Sequence, residues 1–194
     1  NNGGGVFVLN ANKRSVLDYV VFSGSSAVTY KKLKLSGAIT FYQSDVSISN
    51  AIFKDNSKGD DFLNIIRSSF SIDNSKFENV LFDALDSDFS EGTVSNVSFS
   101  GVGNDALDFS GSKVVLDNLK INKVGDKAVS VGERSNIKAS NISILNSYIG
   151  IASKDSSSVL VNNVNFYNTK YIAASYQKKP EFGPASISFD NSLV

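Results

Sequence analysis

Short alternations of apolar and polar residues run through the whole chain. Each alternation covers three to five residues, and Gly, Asn, Ser or Asp separates it from the next. Alternation with a period of two indicates a strand with one buried face, and the separating residues are those that favour turns. Long amphipathic helical windows are absent. The pattern therefore predicts an all-β protein made of short strands and tight turns.

The alternations repeat about every 22 residues. A triplet of apolar residue, polar residue and Asn ends at Asn50, Asn74, Asn96, Asn118, Asn141, Asn163 and Asn191, with spacings of 24, 22, 22, 23, 22 and 28. A unit of this length holds three strands and three turns, and it buries its apolar face only by stacking on its neighbours. We therefore expect an all-β right-handed parallel β-helix, a solenoid of about nine coils.

Stacking turns the repeat into columns of residues. Residues one period apart lie about 4.8 Å apart, which is one strand spacing. Leu63, Leu85 and Leu107 belong to one apolar column that we expect to point inward, and Phe77 and Phe99 belong to another. We expect the Asn column to form a ladder inside the solenoid, where each amide bonds its neighbour and the turn backbone.

The length suits one domain over residues 1–194. Residues 1–14 are a candidate N-terminal cap or incomplete coil, and residues 23–36 and 177–184 are loop insertions. Insertions in a solenoid often line its binding face. The chain starts without Met and stops partway through a coil, so we expect a piece of a longer protein with neighbouring domains.

The composition excludes several kinds of site. The chain has no Cys and no His, which excludes disulfides, thiolate nucleophiles, imidazole bases and ordinary zinc or haem sites. Its 19 basic and 19 acidic residues cancel, so we expect no broad cationic field and no nucleic-acid partner. No apolar run approaches the roughly 18 residues of a membrane span, so we expect no transmembrane segment.

Carboxylates concentrate on one face of three successive coils. If Leu85 and Ser87 point into the solenoid, Asp86 and Asp88 point outward, because strand side chains alternate. Like charges about 5 Å apart raise one another's pKa values, so the cluster needs compensation. The outward rows are Asp61, Asp83, Asp105 and Lys127; Asn64, Asp86, Asp108 and Ser130; and Ile66, Asp88, Ser110, Gly132 and Lys154.

Three kinds of compensation are open: a bound cation, salt bridges and shared protons. Oxygen ligands at flexible spacing suit Ca²⁺ better than a transition metal. The other interpretation is that the Asp residues cap turns and pair with nearby Lys residues. The cations available for salt bridges are Arg67, Lys127, Arg134 and Lys154. The candidate Ca²⁺ ligands are Asp61, Asp83, Asp86, Asp105 and Asp108.

Four segments resemble a known group of proteins: 103–112 (GNDALDFSGS), 125–127 (GDK), 150–155 (GIASKD) and 178–183 (KKPEFG). They are similar to bacterial β-helix domains of the pectate-lyase-like superfamily, which occur in large surface or envelope proteins. Some of these domains stand beside a kinase-like region of the CotH type. The resemblance covers roughly residues 38–186. It implies the β-helix fold and an extracellular, periplasmic or cell-surface location.

Two enzyme families of that superfamily share parts of their motifs with this chain. Polygalacturonase-like glycosidases carry Asn-Thr-Asp-Gly, followed one coil later by Asp-Asp. Residues 104–108 are similar to the first motif, and Asp126 with Lys127 occupies the second, so Lys127 replaces one carboxylate. Chondroitinase- and alginate-lyase-like enzymes place a Lys base and an Arg on successive coils. Arg67 is similar to the Lys position, and the next coil offers Asp88 in place of Arg.

We expect a carbohydrate-facing module that binds or presents to a polysaccharide through its acidic outer face. The alternatives are a polysaccharide lyase or glycoside hydrolase, and a purely structural spacer. The candidate catalytic residues are Asp83, Asp105, Asp108, Arg67, Lys127 and Lys154. The candidate substrate-binding residues are Asp86, Asp88, Glu133, Tyr176 and Lys178.

Overall fold

The computed structural model describes residues 4–27, 29–30, 33–56 and 58–192. Within these ranges, no helix has the length and apolar character needed to cross a membrane. The strands are β1 (Val6–Leu9), β2 (Ser15–Asp18), β3 (Val21–Ser23), β4 (Thr29–Tyr30), β5 (Leu33–Lys34), β6 (Gly37–Tyr42), β7 (Val46–Ser49), β8 (Ile52–Lys54), β9 (Asp61–Ile66), β10 (Ser69–Asp73), β11 (Lys76–Val80), β12 (Asp83–Asp88), β13 (Glu91–Ser95), β14 (Ser98–Val102), β15 (Leu107–Ser110), β16 (Lys113–Gly132), β17 (Asn136–Lys154), β18 (Ser158–Tyr176) and β19 (Ser186–Asp190).

Each coil contributes one segment to each of three parallel sheets. The first sheet contains β1, β6, β9, β12, β15 and the last parts of β16, β17 and β18; the second contains β2, β7, β10, β13, the first parts of β16 to β18, and β19. The third contains β3, β8, β11, β14 and the middle parts of β16 to β18. Each of these strands pairs in parallel with the strand one coil away, which confirms the predicted all-β parallel solenoid.

The solenoid has fewer coils than the nine predicted. In the described part of the chain, six coils between Gly37 and Thr169 repeat all three strands in register. A coil of short strands, β1 to β3, precedes them, and the end of β18 with β19 follows them. The prediction divided the whole length by the period, although residues 24–36 and 177–185 connect strands outside the repeat. Residues 28, 31 and 32 of the predicted insertion 23–36 lie outside the described residues.

Three apolar columns fill the interior, as the repeat predicts. Phe77 is fully buried between Phe53 and Phe99, with ring centroids 4.5 and 5.0 Å away and nearly parallel rings. Interiors packed in this way lose stability when a single large side chain is removed. The first-sheet column is Ile39, Leu63, Leu85, Leu107, Val129 and Ile151; the second-sheet column is Ile48, Ile72, Val94, Leu116, Ala139 and Val161.

The Asn column forms a ladder outside the solenoid, so the predicted internal ladder is wrong. Asn96 and Asn118 have φ angles of 55° and 51°, a left-handed conformation that Asn adopts more readily than most residues. In this conformation both side chains are exposed at the turn between the second and third sheets. Nδ2 of Asn118 donates to Oδ1 of Asn96 (2.7 Å), and Nδ2 of Asn96 donates to Oδ1 of Asp73 (2.7 Å).

The polar ladder inside the solenoid is made of serine. The Oγ of Ser112 accepts a hydrogen bond from the backbone N–H of Ser90 (3.0 Å) and donates to the carbonyl of Ser87 (2.8 Å). Such bonds satisfy backbone groups that would otherwise be buried without partners. The ladder stands at the turn between the first and second sheets. Its members are Ser44, Ser68, Ser90, Ser112, Ser135 and Ser157.

Candidate functional site

Six aspartates lie on the outer side of the first sheet, over three coils. Asp83 lies opposite Asp61, and Asp86 lies opposite Asp108 in the parallel register. Leu85 is fully buried and points inward, which turns Asp86 outward, as alternation predicts. We call this surface the acidic face. It consists of Asp61, Asp83, Asp86, Asp88, Asp105 and Asp108.

Asp83 and Asp105 are buried and bind the backbone where the chain enters the first sheet. The Oδ1 of Asp83 accepts hydrogen bonds from the N–H of Asp105 (2.8 Å) and from Nδ2 of Asn104 (2.7 Å). The Oδ1 of Asp105 accepts one from the N–H of Lys127 (2.9 Å). These two candidate catalytic residues therefore cap turns, as the second interpretation of the sequence expects.

Asp86, Asp88 and Asp108 are half-buried and form the part of the acidic face that solvent reaches. Asn64, which is 2% exposed, donates through Nδ2 to Asp61 Oδ2 (2.9 Å) and to Asp86 Oδ2 (3.2 Å). The Oδ1 atoms of Asn64 and Asp108 are buried and receive no hydrogen bond from the described residues. The face thus contains acceptor atoms that the rest of the described protein does not satisfy.

One cation, Lys127, forms an ion pair with the acidic face among the described residues. Its Nζ lies 3.3 Å from Asp105 Oδ1 and also contacts Asp126. The Nζ of Lys154 instead donates to Ser130 Oγ (2.8 Å). Within the described part of the chain, five of the six carboxylates therefore lack a cationic partner.

The two candidate arginines also bind elsewhere. The Arg67 guanidinium lies 6.0 Å from the centre of the Phe89 ring, and that of Arg134 lies 5.3 Å from the centre of the Phe182 ring. Both contacts are within the range of a cation–π interaction. Salt bridges from these residues do not neutralise the acidic face.

Burial and mutual repulsion raise the pKa values of five members of the acidic face. Burial, with the nearby Asp105 and Asp108 charges, raises the pKa of Asp83 to about 7 despite its hydrogen bonds. Burial and the Asp61 charge raise the pKa of Asp88 to about 6, and the same causes raise that of Asp86 well above its usual value. Burial also raises the pKa values of Asp61 and Asp105. At neutral pH, the face therefore carries both protonated and ionised carboxyl groups.

The geometry does not favour the calcium site. Among the described residues, no three acidic side chains converge in an arrangement that could hold a metal ion. Several oxygens that the ion would need are already bonded to Asn64, Lys127 or the backbone. The Ca²⁺ site at Asp61, Asp83, Asp86, Asp105 and Asp108 stays a prediction.

Three of the candidate substrate-binding residues, Glu133, Tyr176 and Lys178, lie around the loop 177–184. Glu133 forms an ion pair with Lys179, and the N–H of Lys178 donates to Asp155 Oδ1 (2.6 Å). Tyr176 ends β18, opposite Lys154 in the register. Glu133 nevertheless lies close enough to Asp88 for its charge to help raise the pKa of Asp88. The charge of Asp105 likewise acts on Tyr176, whose pKa is raised mainly by burial.

Two exposed phenylalanines flank β12, and the sequence analysis missed them. Phe82 precedes the strand and is 47% exposed, and Phe89 follows it and is 57% exposed. Their position between turn-forming residues and the acidic strand is visible in the sequence. Their exposure is not, because Phe residues elsewhere in the repeat fill the core.

The comparisons with known proteins agree with this architecture. Residues 63–194 match the family described as the right handed beta helix region. The chain belongs to the right-handed β-helix family. The comparison with curated proteins gives no match.

Among solved structures, this β-helix is similar to the catalytic unit of a thermostable GH87 alpha-1,3-glucanase from Streptomyces thermodiastaticus strain HF3-3. The sequences are 9% identical and the TM-score is 0.34. The similarity covers 98% of this chain and 47% of the glucanase chain, so the β-helix spans about half of that unit's length.

Proposed function

We propose that this β-helix binds a neutral polysaccharide on its acidic face. The observation that carries the proposal is a group of five carboxylates without a cationic partner among the described residues. They lie on an outer face that solvent reaches at Asp86, Asp88 and Asp108. Buried or half-buried carboxyl groups without such partners lower the stability of the folded protein. A ligand that forms hydrogen bonds with these carboxyl groups offsets this loss of stability.

A hydroxyl-rich ligand matches the chemistry of the face. A protonated carboxyl group donates one hydrogen bond and also accepts, whereas an ionised one only accepts. The pKa values of about 6 for Asp88 and about 7 for Asp83 keep both forms present near neutral pH. Sugar hydroxyls donate and accept as well, so they can bond to both forms of the carboxyl group.

The charge of the face selects against acidic polymers. Uronate and phosphate groups would meet like charges at close range, with Lys127 already paired to Asp105. The same repulsion disfavours nucleic acids and a lyase acting on uronates. A neutral polysaccharide avoids this cost, and it is consistent with an extracellular, periplasmic or cell-surface location.

The experiment compares a variant of the face with a matched control in native gels that contain polysaccharide. The panel holds soluble β-glucan, α-glucan, mannan and arabinoxylan as neutral probes, and polygalacturonate and alginate as acidic ones. Replacing both Asp86 and Asp108 by Ala should weaken retention by a neutral probe about tenfold or more, a loss of at least about 1.4 kcal/mol. The control replaces Asp73 and Asp117 of the exposed turn ladder by Ala and should behave as wild type.

Retention by the acidic probes alone, or equal retention of both double variants, would contradict the proposal. Circular dichroism of each variant shows whether the β-sheet is intact, so a folding defect is not mistaken for lost binding.

Hydrolysis of the bound polysaccharide is the second candidate function. The pKa of Asp88, raised by burial to about 6, suits a general acid, and Asp86 and Asp108 stand on adjacent coils about 4.8 Å apart. Retaining glycosidases hold a general acid and a nucleophilic carboxylate roughly 5 Å apart. With Asp88 as the acid, Asp86 or Asp108 beside it on the paired strands would be the nucleophile.

If hydrolysis occurs, Asp88→Asn should abolish the release of reducing ends, because an amide cannot donate the proton. The same variant should still be retained by the neutral probe, because an amide both donates and accepts hydrogen bonds. Reducing-end assays on the retained probe decide this, and a wild-type protein that binds without releasing reducing ends leaves binding as the function.

A further inference from the structure

Phe89 occupies a left-handed corner at the edge of the acidic face, a corner that Arg67 and Gly111 occupy on the neighbouring coils. It follows Asp88 at the end of β12, and its ring is 57% exposed. Its φ angle of 50° lies in the left-handed region, which disfavours bulky side chains. Its backbone is nevertheless fixed, because its N–H donates to the carbonyl of Ser110 (2.7 Å). An aromatic residue here is costly, and its exposed ring recovers little by burial.

Gly111 on the next coil provides the space in which the Phe89 ring lies. A Cβ at Gly111 would come within 2.6 Å of Phe89 Cδ1, so a side chain there would displace the ring. On the preceding coil, the Arg67 guanidinium lies 6.0 Å from the ring centre. The ring is therefore bordered on both neighbouring coils and keeps much of its surface open to solvent.

We propose that Phe89 is the stacking surface for one sugar ring of the polysaccharide bound at the acidic face. This inference rests on the proposed function and adds a specificity-determining residue to it. The C–H face of a sugar ring packs on the aromatic ring, and its hydroxyl edge reaches the carboxyl groups of Asp88 and Asp86. Aromatic rings combined with a few polar groups are the usual composition of small-molecule binding sites.

The surroundings of Phe89 favour a sugar over a protein partner. Arg67 beside the ring is exposed, and the half-buried carboxyl of Asp88 lies next along the chain. A protein interface would bury a contiguous apolar core, which this surface does not offer among the described residues. A single ring bordered by polar groups suits a ligand with one apolar face and polar edges.

The first test uses the absence of tryptophan from the sequence. The variant Phe89→Trp places one indole at the proposed stacking position, and Phe82→Trp places one at the other end of β12 as the matched control. Adding the neutral polysaccharide retained in the gels should shift or quench the emission of the Phe89→Trp protein in a saturable way. The emission of the Phe82→Trp protein should stay unchanged.

The second test measures affinity in the same native gels. Phe89→Ala should weaken retention by the neutral probe about three- to tenfold, the range expected for one aromatic contact. Phe89→Tyr should bind as wild type, because it keeps the ring, and so should Phe82→Ala. Gly111→Ala should also weaken binding although it does not replace Phe89, because the added Cβ displaces the Phe89 ring.

The outcomes separate the stacking role from the proposed function. If Phe89→Ala binds as wild type while the double Ala variant of Asp86 and Asp108 does not bind, the stacking role is overturned and the acidic face remains the binding surface. Equal emission changes at positions 82 and 89 also overturn the role. A wild-type protein that no neutral probe retains overturns both proposals.

Discussion

Raising the pH from about 4 to about 8 is expected to lower the free energy of unfolding of this β-helix by several kcal/mol. Burial raises the pKa of Asp83 to about 7 and that of Asp88 to about 6 in the folded protein. An unfolded aspartate has a pKa of about 3.9. In this pH window the folded protein holds protons that the unfolded chain has released, so stability falls as the pH rises. Asp83 alone contributes on the order of 4 kcal/mol, because one unit of pKa difference corresponds to about 1.36 kcal/mol.

Denaturant unfolding at a series of pH values measures this dependence. Asp86→Asn should flatten the decline, since burial and the Asp61 charge raise the pKa of Asp86 well above its usual value. Asp73→Asn is the matched control, because hydrogen bonds from Asn96 and Ser95 lower the pKa of Asp73. Removing the Asp73 carboxylate should leave the decline unchanged. If the free energy of unfolding instead rises steadily between pH 5 and pH 8, the charges of the acidic face are neutralised in the folded protein, and the account is contradicted.

Replacing Phe77 by Ala is expected to lower the free energy of unfolding by about 3–5 kcal/mol, the usual loss for a buried phenylalanine. Phe77 is fully buried, and its ring stacks between those of Phe53 and Phe99 on the neighbouring coils. The parallel strands fix the distance between coils, so the cavity cannot close by moving them together. The midpoint and slope of a denaturant unfolding curve give the change in free energy.

Val115→Ala is the control for Phe77→Ala. Val115 lies on the second sheet in a central coil, and it is 45% exposed. Its truncation should cost less than about 1 kcal/mol, as is usual for surface positions. If Phe77→Ala costs no more than Val115→Ala, the stacked phenylalanines do not hold adjacent coils together.

The repeat predicted the fold because each strand pairs with its own equivalent one period away. The column of Leu63, Leu85 and Leu107 is buried as expected, since alternation alone decides which side of a strand faces inward. The direction of the Asn column could not be found in this way, because Asn96 and Asn118 are left-handed turn residues to which strand alternation does not apply. The internal serine ladder does carry a sequence signal, in spacings of 22, 22, 23 and 22 from Ser68 to Ser157.

The acidic face was predicted as a surface, but the roles of its members were not. Periodicity places Asp83 and Asp86 on one coil and Asp105 on the next, and the register agrees for the strand residues. It does not distinguish a carboxylate that caps a turn, such as Asp105, from one that solvent reaches, such as Asp86. That difference depends on the path of the backbone at the corner before β15. The position of Phe89 depends likewise on a left-handed turn and on Gly111 one coil away.

The most direct test of the central claim is ¹³C NMR of the aspartate carboxyl groups while a neutral polysaccharide fragment from the gel panel is added. The account predicts saturable shifts for Asp86, Asp88 and Asp108 on the acidic face, with no shift for Asp73 and Asp117 in the exposed turn ladder. Shifts confined to the turn ladder, or no carboxyl shift with any neutral fragment, would contradict the claim that the acidic face of this β-helix binds a neutral polysaccharide.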